Sequence, residues 1–293
     1  MEMKEIIVSC FPNVLVKINP QHIPLLEVLE SIRKGDLKAK VERVRKENDH
    51  NQRNELKKKL LPAICFSGMF ERMEDAKIIT SSGVICIDLD KVSDLKKERE
   101  RLKENPHVLS IFKSPSGNGL KVLVLHDLQD FSYHKALYHH IGNLLGVTGR
   151  NDLKFDLSCS NISHPCMWSY DSGLYLNKNA KRLHIDTANL PSIPSASKEK
   201  DRTATPELNS NITPIQAPKA TRDKILESHT LFEEYYSMYP GVRNNNLLIL
   251  ASFFYNDRIP EGVAVDYLIA YYSDIKNGFT SDEIKKIVYS AYH

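Results

Sequence analysis

A change of texture near residue 190 constrains this chain more than any other feature. From Glu5 to about His184, short apolar runs alternate with stretches of helical period. From Leu190 to about Lys219 the chain is dense in Pro, Ser, Thr, Asn and Ala, with few large apolar residues after Ile193. About thirty residues of that composition exceed an ordinary internal loop and separate domains. From Thr221 the period is helical throughout: Phe232, Tyr235 and Tyr236 mark one face, and Leu247, Leu248, Ala251 and Phe254 another. Val265, Leu268, Ile269 and Tyr272 follow, then Ile284, Ile287, Val288 and Ala291. The expectation is an α+β domain over residues 1–187, a flexible linker over 188–220 and a small all-α domain over 221–293.

At 293 residues both domains can bury a core, and a net charge of +3 permits nucleic-acid binding without demanding it. No apolar run approaches a membrane span, and Met1–Glu5 does not lead into a signal-peptide core, so no membrane partner is expected. Five cysteines at irregular spacing suit a reducing compartment better than a disulfide framework. A cytoplasmic protein is expected.

Within the first domain, Glu5–Phe11, Val14–Ile18, Ala63–Ser67, Val84–Leu89, Val108–Lys113 and Leu120–Leu125 read as strands. Shorter strands are expected within Lys154–Leu157, Cys166–Ser169 and Leu174–Leu176. Pro24–Lys34 reads as a helix closed by Gly35, Ser93–Glu104 as one capped by Ser93, and Asp130–Leu145 as one ending at Gly146. Asp36–Leu60 reads as one long, charged helix with sparse apolar positions.

Two segments stand out chemically. Val84-Ile85-Cys86-Ile87-Asp88-Leu89-Asp90 is an apolar strand that ends in two carboxylates. Residues two apart on a strand project from one face, about 6.6 Å apart, so both could reach one hard cation or a pair. Two-metal sites hold ions roughly 4 Å apart for in-line phosphoryl displacement. Taken alone, D-x-D is more simply a strand closing in an Asx turn. The second segment is Ser114-Pro115-Ser116-Gly117-Asn118-Gly119-Leu120-Lys121. Its glycines let backbone N–H groups approach anionic oxygens, Ser114 and Ser116 add hydroxyls, and Lys121 supplies a point charge. The same residues also make a plain hairpin turn. Asp156, closing the short apolar run Leu153–Leu157, is the best third acid; Asp152 and Asp171 read as solvated loop residues.

In this order the segments resemble the three motifs of the archaeo-eukaryotic primase superfamily. The closest resemblance is to the VirE N-terminal-domain-like primase domain of bacterial mobile-element replication proteins. Leu60–Phe70 and Ser169–Asn177 resemble the same domain, so the likeness spans most of residues 5–180. Gly241–Asn245, with Phe279 and Glu283, looks like the small helical domain that follows such primases. The resemblance implies an RRM-like antiparallel sheet in which Asp88, Asp90 and Asp156 hold Mg²⁺ or Mn²⁺. It implies that Ser114, Ser116, Gly117, Gly119 and Lys121 hold an NTP or dNTP for primer synthesis on single-stranded DNA. Lys121 stands where many primases have His, and His164 where Arg is expected. No P-loop motif occurs, so a replicative helicase would be a separate chain. A nucleic-acid-binding accessory that kept the fold, and a metal-dependent nuclease, are the competing functions.

Lys113, Arg150, Lys154 and Arg243 are the expected nucleic-acid contacts, joined by Arg43, Arg45, Lys46 and Lys57–Lys59 if the charged helix faces a partner. Cys159, His164 and Cys166 lack knuckle spacing and read as core or turn residues rather than a zinc site. His134, His139 and His140 are expected on a solvated or nucleic-acid-facing side of their helix.

Overall fold

The computed structural model describes residues 6–191, 217–236, 238, 242–273 and 279–293. The chain divides into two compact units, Met1–Ala196 and Ser197–His293. Residues 192–216 of the expected linker lie outside the described residues.

The first unit is built around strand β6 (Val84–Asp90), whose alternation fixes two faces. Antiparallel to it on one side runs β8 (Leu120–Leu125), which pairs in turn with β7 (Val108–Lys113). On its other side lies β9 (Lys154–Phe155), and β11 (Tyr175–Leu176) extends the far edge. The sheet order is β11-β7-β8-β6-β9, every neighbour antiparallel. Helix α4 (Leu95–Lys103) joins β6 to β7, and α5 (His134–Leu144) joins β8 to β9. Ile85, Ile87 and Leu89 of β6 and Val122 and Val124 of β8 pack with Leu102 of α4 and Leu137 and Ile141 of α5.

The opposite face of this sheet meets a second layer. There β1 (Ile7–Phe11), β2 (Gln21–Pro24), β3 (Ala63–Cys65) and β10 (Cys166–Met167) form a sheet in the order β10-β3-β1-β2. Val8 and Ile64 from it, Val28 and Ile32 from helix α1 (Leu25–Lys34), and Val84, Phe112 and Leu123 share one core. Strands β4 (Gly68–Phe70) and β5 (Ile78–Ser81) make a separate antiparallel pair. The architecture is thus mixed helix and antiparallel sheet. Among the described residues no helix is long and apolar enough to cross a membrane.

Three expectations change. The long charged helix is two helices, α2 (Lys38–Lys46) and α3 (His50–Leu60), because Asp49 caps the second by accepting from the Gln52 N–H at 2.8 Å. Val41, Val44 and Leu61 are buried together, so its few apolar positions form a core seam. Val14–Ile18 is a bend rather than a strand; Asn13, fully buried, accepts there from Leu15 and Val16 N–H at 2.9 and 3.0 Å. The cap of α4 is Asp94, not Ser93; its carboxylate accepts from Lys96 and Lys97 N–H.

The second unit contains, among the described residues, helices α6 (Lys219–Tyr235), α7 (Arg243–Asn256), α8 (Glu261–Tyr272) and α9 (Ser281–Tyr292). Leu247–Phe254 are all buried, which makes α7 the central helix. A Thr280–Glu283 capping box starts α9. Buried His229 sits between the Tyr267 and Tyr272 hydroxyls, 2.6 Å from each.

Candidate functional site

Alternation along β6 sends Cys86, Asp88 and Asp90 to the face that α4 and α5 do not cover. The register sets Asp88 directly opposite Lys121, and the Lys121 ammonium donates to Asp88 Oδ2. The two side chains are 12% and 11% exposed. The Cys159 thiol donates to the same oxygen at 3.4 Å, while Asp88 Oδ1 is buried with no partner. Burial works to lower the Lys121 pKa, but the Asp88 carboxylate outweighs it and holds the ammonium well above its ordinary value. In the ligand-free protein the charge of Lys121 is thus engaged by Asp88.

Asp90 has no hydrogen-bond or ion-pair partner among the described residues. Burial, then the neighbouring Asp88 and Asp156 charges, raise its carboxyl against the opposing pull of Lys121 and Lys154. Asp156 arrives from β9: its N–H donates to the Asp88 carbonyl at 3.1 Å. Its carboxylate accepts from the Ser158 N–H at 3.2 Å and hydroxyl at 2.9 Å, with Lys154 Nζ at 3.6 Å. Burial would raise that carboxyl, yet the Ser158 bonds and Lys154 hold it below its ordinary value. Lys154 pairs across from Asp90 and so belongs to the acid face.

The three acids therefore share one face at one end of the sheet. Among the described residues, no three His, Cys, Asp or Glu side chains converge closely enough to hold a metal. The reason is visible at Asp88, which is turned toward Lys121. The donor set itself fits a hard divalent ion: all oxygen, with a buried orphan at Asp88 Oδ1 and an unpartnered carboxylate at Asp90.

The Ser114–Lys121 loop stands at the same end. Ser114 and Gly119 exchange backbone contacts at 2.9 Å and 3.1 Å, the latter to the Ser114 hydroxyl, and Gly117 N–H bonds the Ser114 carbonyl at 2.9 Å. Gly117 takes φ +85°, and a Cβ on Gly119 would stand 2.4 Å from the Leu89 carbonyl. The loop thus packs hard against the end of β6. The Gly117 and Gly119 N–H groups are spent inside it; among the described residues the Ser116 hydroxyl has no partner. Arg45, from α2, holds the loop from outside by donating to the Ser114 and Pro115 carbonyls, both at 3.1 Å, and to Tyr170 O at 2.9 Å.

The other expected contacts scatter. Lys113 pairs with Leu120, on the helix-covered face, and borders a groove of about 300 Å³ along α4. Arg150 is taken up by Glu98 at 2.9 Å and by Asp152. Arg243, in the second unit, stacks over Phe279 at 4.8 Å with Glu283 at 4.0 Å. Asp171, expected in solvent, is buried and bonds Arg99 and the Lys113 N–H. His134 is buried too, and burial lowers its pKa to about 3. All five cysteines are free, and Cys86, Cys159 and Cys166 line a cavity of about 20 Å³ with Asp88, Lys121 and His164. That volume suits a single water.

Sequence reasoning passed over the Arg45 clamp and gave no special place to Lys57. The Lys57 ammonium is half-buried and has no partner among the described residues; burial and Lys121 lower its pKa while the charges of Asp90 and Asp88 raise it. Its signal was present only as one lysine in a charged run.

Residues 55–176 match the family model described as BT4734-like, N-terminal domain. The matched stretch begins inside α3 and ends with β11, so it holds the whole five-stranded sheet, the three acids and the Ser–Gly loop. No curated protein and no solved structure matches the chain.

Proposed function

We propose that the first unit is a primase-polymerase-like nucleotidyltransferase domain of a mobile-element or phage replication system. The run β6-α4-β7-β8-α5-β9, with strand order 7-8-6-9, is that of a split βαβ, RRM-like sheet, which supports the finer fold. One observation carries the reading. The Asp156 N–H bonds the Asp88 carbonyl, so a third acid from a distant strand joins the D-x-D face beside the glycine loop.

Asp88, Asp90 and Asp156 would hold Mg²⁺ or Mn²⁺. The metal would supply Lewis-acid activation of a primer 3′-hydroxyl and charge neutralisation at the pyrophosphate. The Ser116 hydroxyl and Lys121, once released from Asp88, would meet the nucleotide's phosphates, and Lys154 and Lys57 add positive charge to the same face. Positioned cations and donors of this kind supply most of the catalysis in phosphoryl transfer. Single-stranded DNA is the template, and a helicase would be a separate partner.

The buried Asp88–Lys121 pair favours a second reading, a nucleic-acid-binding accessory that kept the fold, because it neutralises an acid the chemistry needs. Incorporation of labelled dNTP or NTP on single-stranded DNA with Mg²⁺ or Mn²⁺ separates the two. Wild type should extend, and Asp88→Ala/Asp90→Ala should not. Strand binding with no incorporation favours the accessory, and metal-dependent cleavage favours a nuclease.

A further inference from the structure

The acid face depends on a side chain that comes from the other side of the sheet. Two residues opposed in a narrow antiparallel pair exchange both backbone hydrogen bonds. Asp88 and Asp156 make only one of them, Asp156 N–H to Asp88 O at 3.1 Å. In place of the second stands the Tyr138 hydroxyl of α5. It accepts from Asp88 N–H at 3.2 Å and donates to the Asp156 carbonyl at 2.9 Å. The hydroxyl is inserted in the ladder at the acid pair itself.

Its position is fixed by packing. Tyr138 is fully buried, and its ring stacks on Phe155 of β9 at 5.0 Å and 10°. One turn further along α5, a Cβ on Gly142 would fall 2.4 Å from the Phe155 ring. Helix α5 therefore grips β9 through Phe155 and sets the spacing of its last residue through one hydroxyl. Beyond Asp156 the chain leaves the sheet in a 3-10 turn, Leu157–Cys159, and returns the Cys159 thiol to Asp88 Oδ2 at 3.4 Å.

We propose that Tyr138 is the positioning residue that sets Asp156 against Asp88 for metal binding. The inference rests on the proposed nucleotidyl-transfer reading, since it takes those acids as the ligands. In Tyr138→Phe the direct Asp88–Asp156 ladder bond can close, which moves the third acid, or both groups stand unpaired, which leaves it unheld. Groups that orient metal ligands commonly govern affinity by tenfold or more.

The experiment is titration of the full chain with Mn²⁺ alone, followed by electron paramagnetic resonance of the free ion, beside thermal unfolding of each variant. Tyr138→Phe should bind Mn²⁺ about tenfold more weakly. Ile141→Val, on the same helix but away from the ladder, should lower the melting temperature without changing Mn²⁺ affinity. Gly142→Ala pushes Phe155 and so shifts β9 against the Tyr138 hydroxyl; it should weaken Mn²⁺ binding, and unchanged affinity in it overturns the proposal even if Tyr138→Phe does not fold. Unchanged affinity in Tyr138→Phe, with Asp156→Ala still weakened, overturns the positioning role and leaves the function standing. Equal losses in Tyr138→Phe and Ile141→Val also overturn it, as general loosening. If Asp88→Ala and Asp156→Ala bind Mn²⁺ like wild type, the metal reading itself fails and takes this inference with it.

Discussion

On one face of the five-stranded sheet, Ile85, Ile87 and Leu89 of β6 meet α4 and α5 in a core of buried aliphatic side chains. On the other, the alternate residues Cys86, Asp88 and Asp90 carry a buried ion pair, an unsatisfied carboxylate oxygen and an unpartnered acid. The same backbone holds both sets, so the difference lies in the side chains alone. The helix-covered face holds the strands in register, and the acid face uses that register to assemble charges from β6, β8 and β9. A half-buried acid left unpartnered costs stability, and the dry core opposite is what tolerates it.

Mutations can break that contrast. Ile87→Asp puts an unpaired charge into the helix-side core, at a cost of several kcal/mol against a total of about 5–15, so the variant should lack a cooperative melt by circular dichroism. Asp88→Ala strands buried Lys121 and should lose about 3–5 kcal/mol in urea titration. Asp88→Ala/Lys121→Met should regain most of that loss; equal instability of single and double variants would show that the pair contributes nothing specific. Arg45→Ala removes charged hydrogen bonds to three carbonyls and should cost ~2 kcal/mol, with a raised KM for nucleotide as the loop loosens.

Asp90→Asn should have the smallest effect on stability and the opposite sign. The folded state raises the Asp90 pKa, so its ionisation weakens the fold as pH rises through that folded pKa. Asp90→Asn should thus melt slightly higher than wild type at pH 7, and the gap should close below the ordinary carboxylate range, where both are neutral. Incorporation should nonetheless be lost. A variant that melts lower at pH 7 would place a partner on Asp90.

Much of this contrast was legible beforehand. The alternation in Val84–Asp90, the apolar runs at Val108–Lys113 and Leu120–Leu125 and the periods of α4 and α5 are local signals that tertiary packing did not override. The two acids on one face follow from strand geometry alone. The partner of Lys121 did not, because it depends on the β6–β8 register, a pairing between distant segments. Nothing in the sequence singled out Tyr138, whose ring is core; only the position of β9 gives its hydroxyl two backbone partners. The split into α2 and α3 turned on Asp49 acting as a cap within a run where charged residues were everywhere. Arg45 was one cation among many, and only the folded loop distinguishes it.

The most direct measurement is a crystal grown with Mn²⁺ and a non-hydrolysable nucleoside triphosphate, with anomalous scattering recorded at the manganese edge. The account predicts manganese bound by Asp88, Asp90 and Asp156, with Lys121 released from Asp88 toward the triphosphate. Saturating Mn²⁺ and nucleotide with no manganese at these acids, and Lys121 still paired to Asp88, would contradict it.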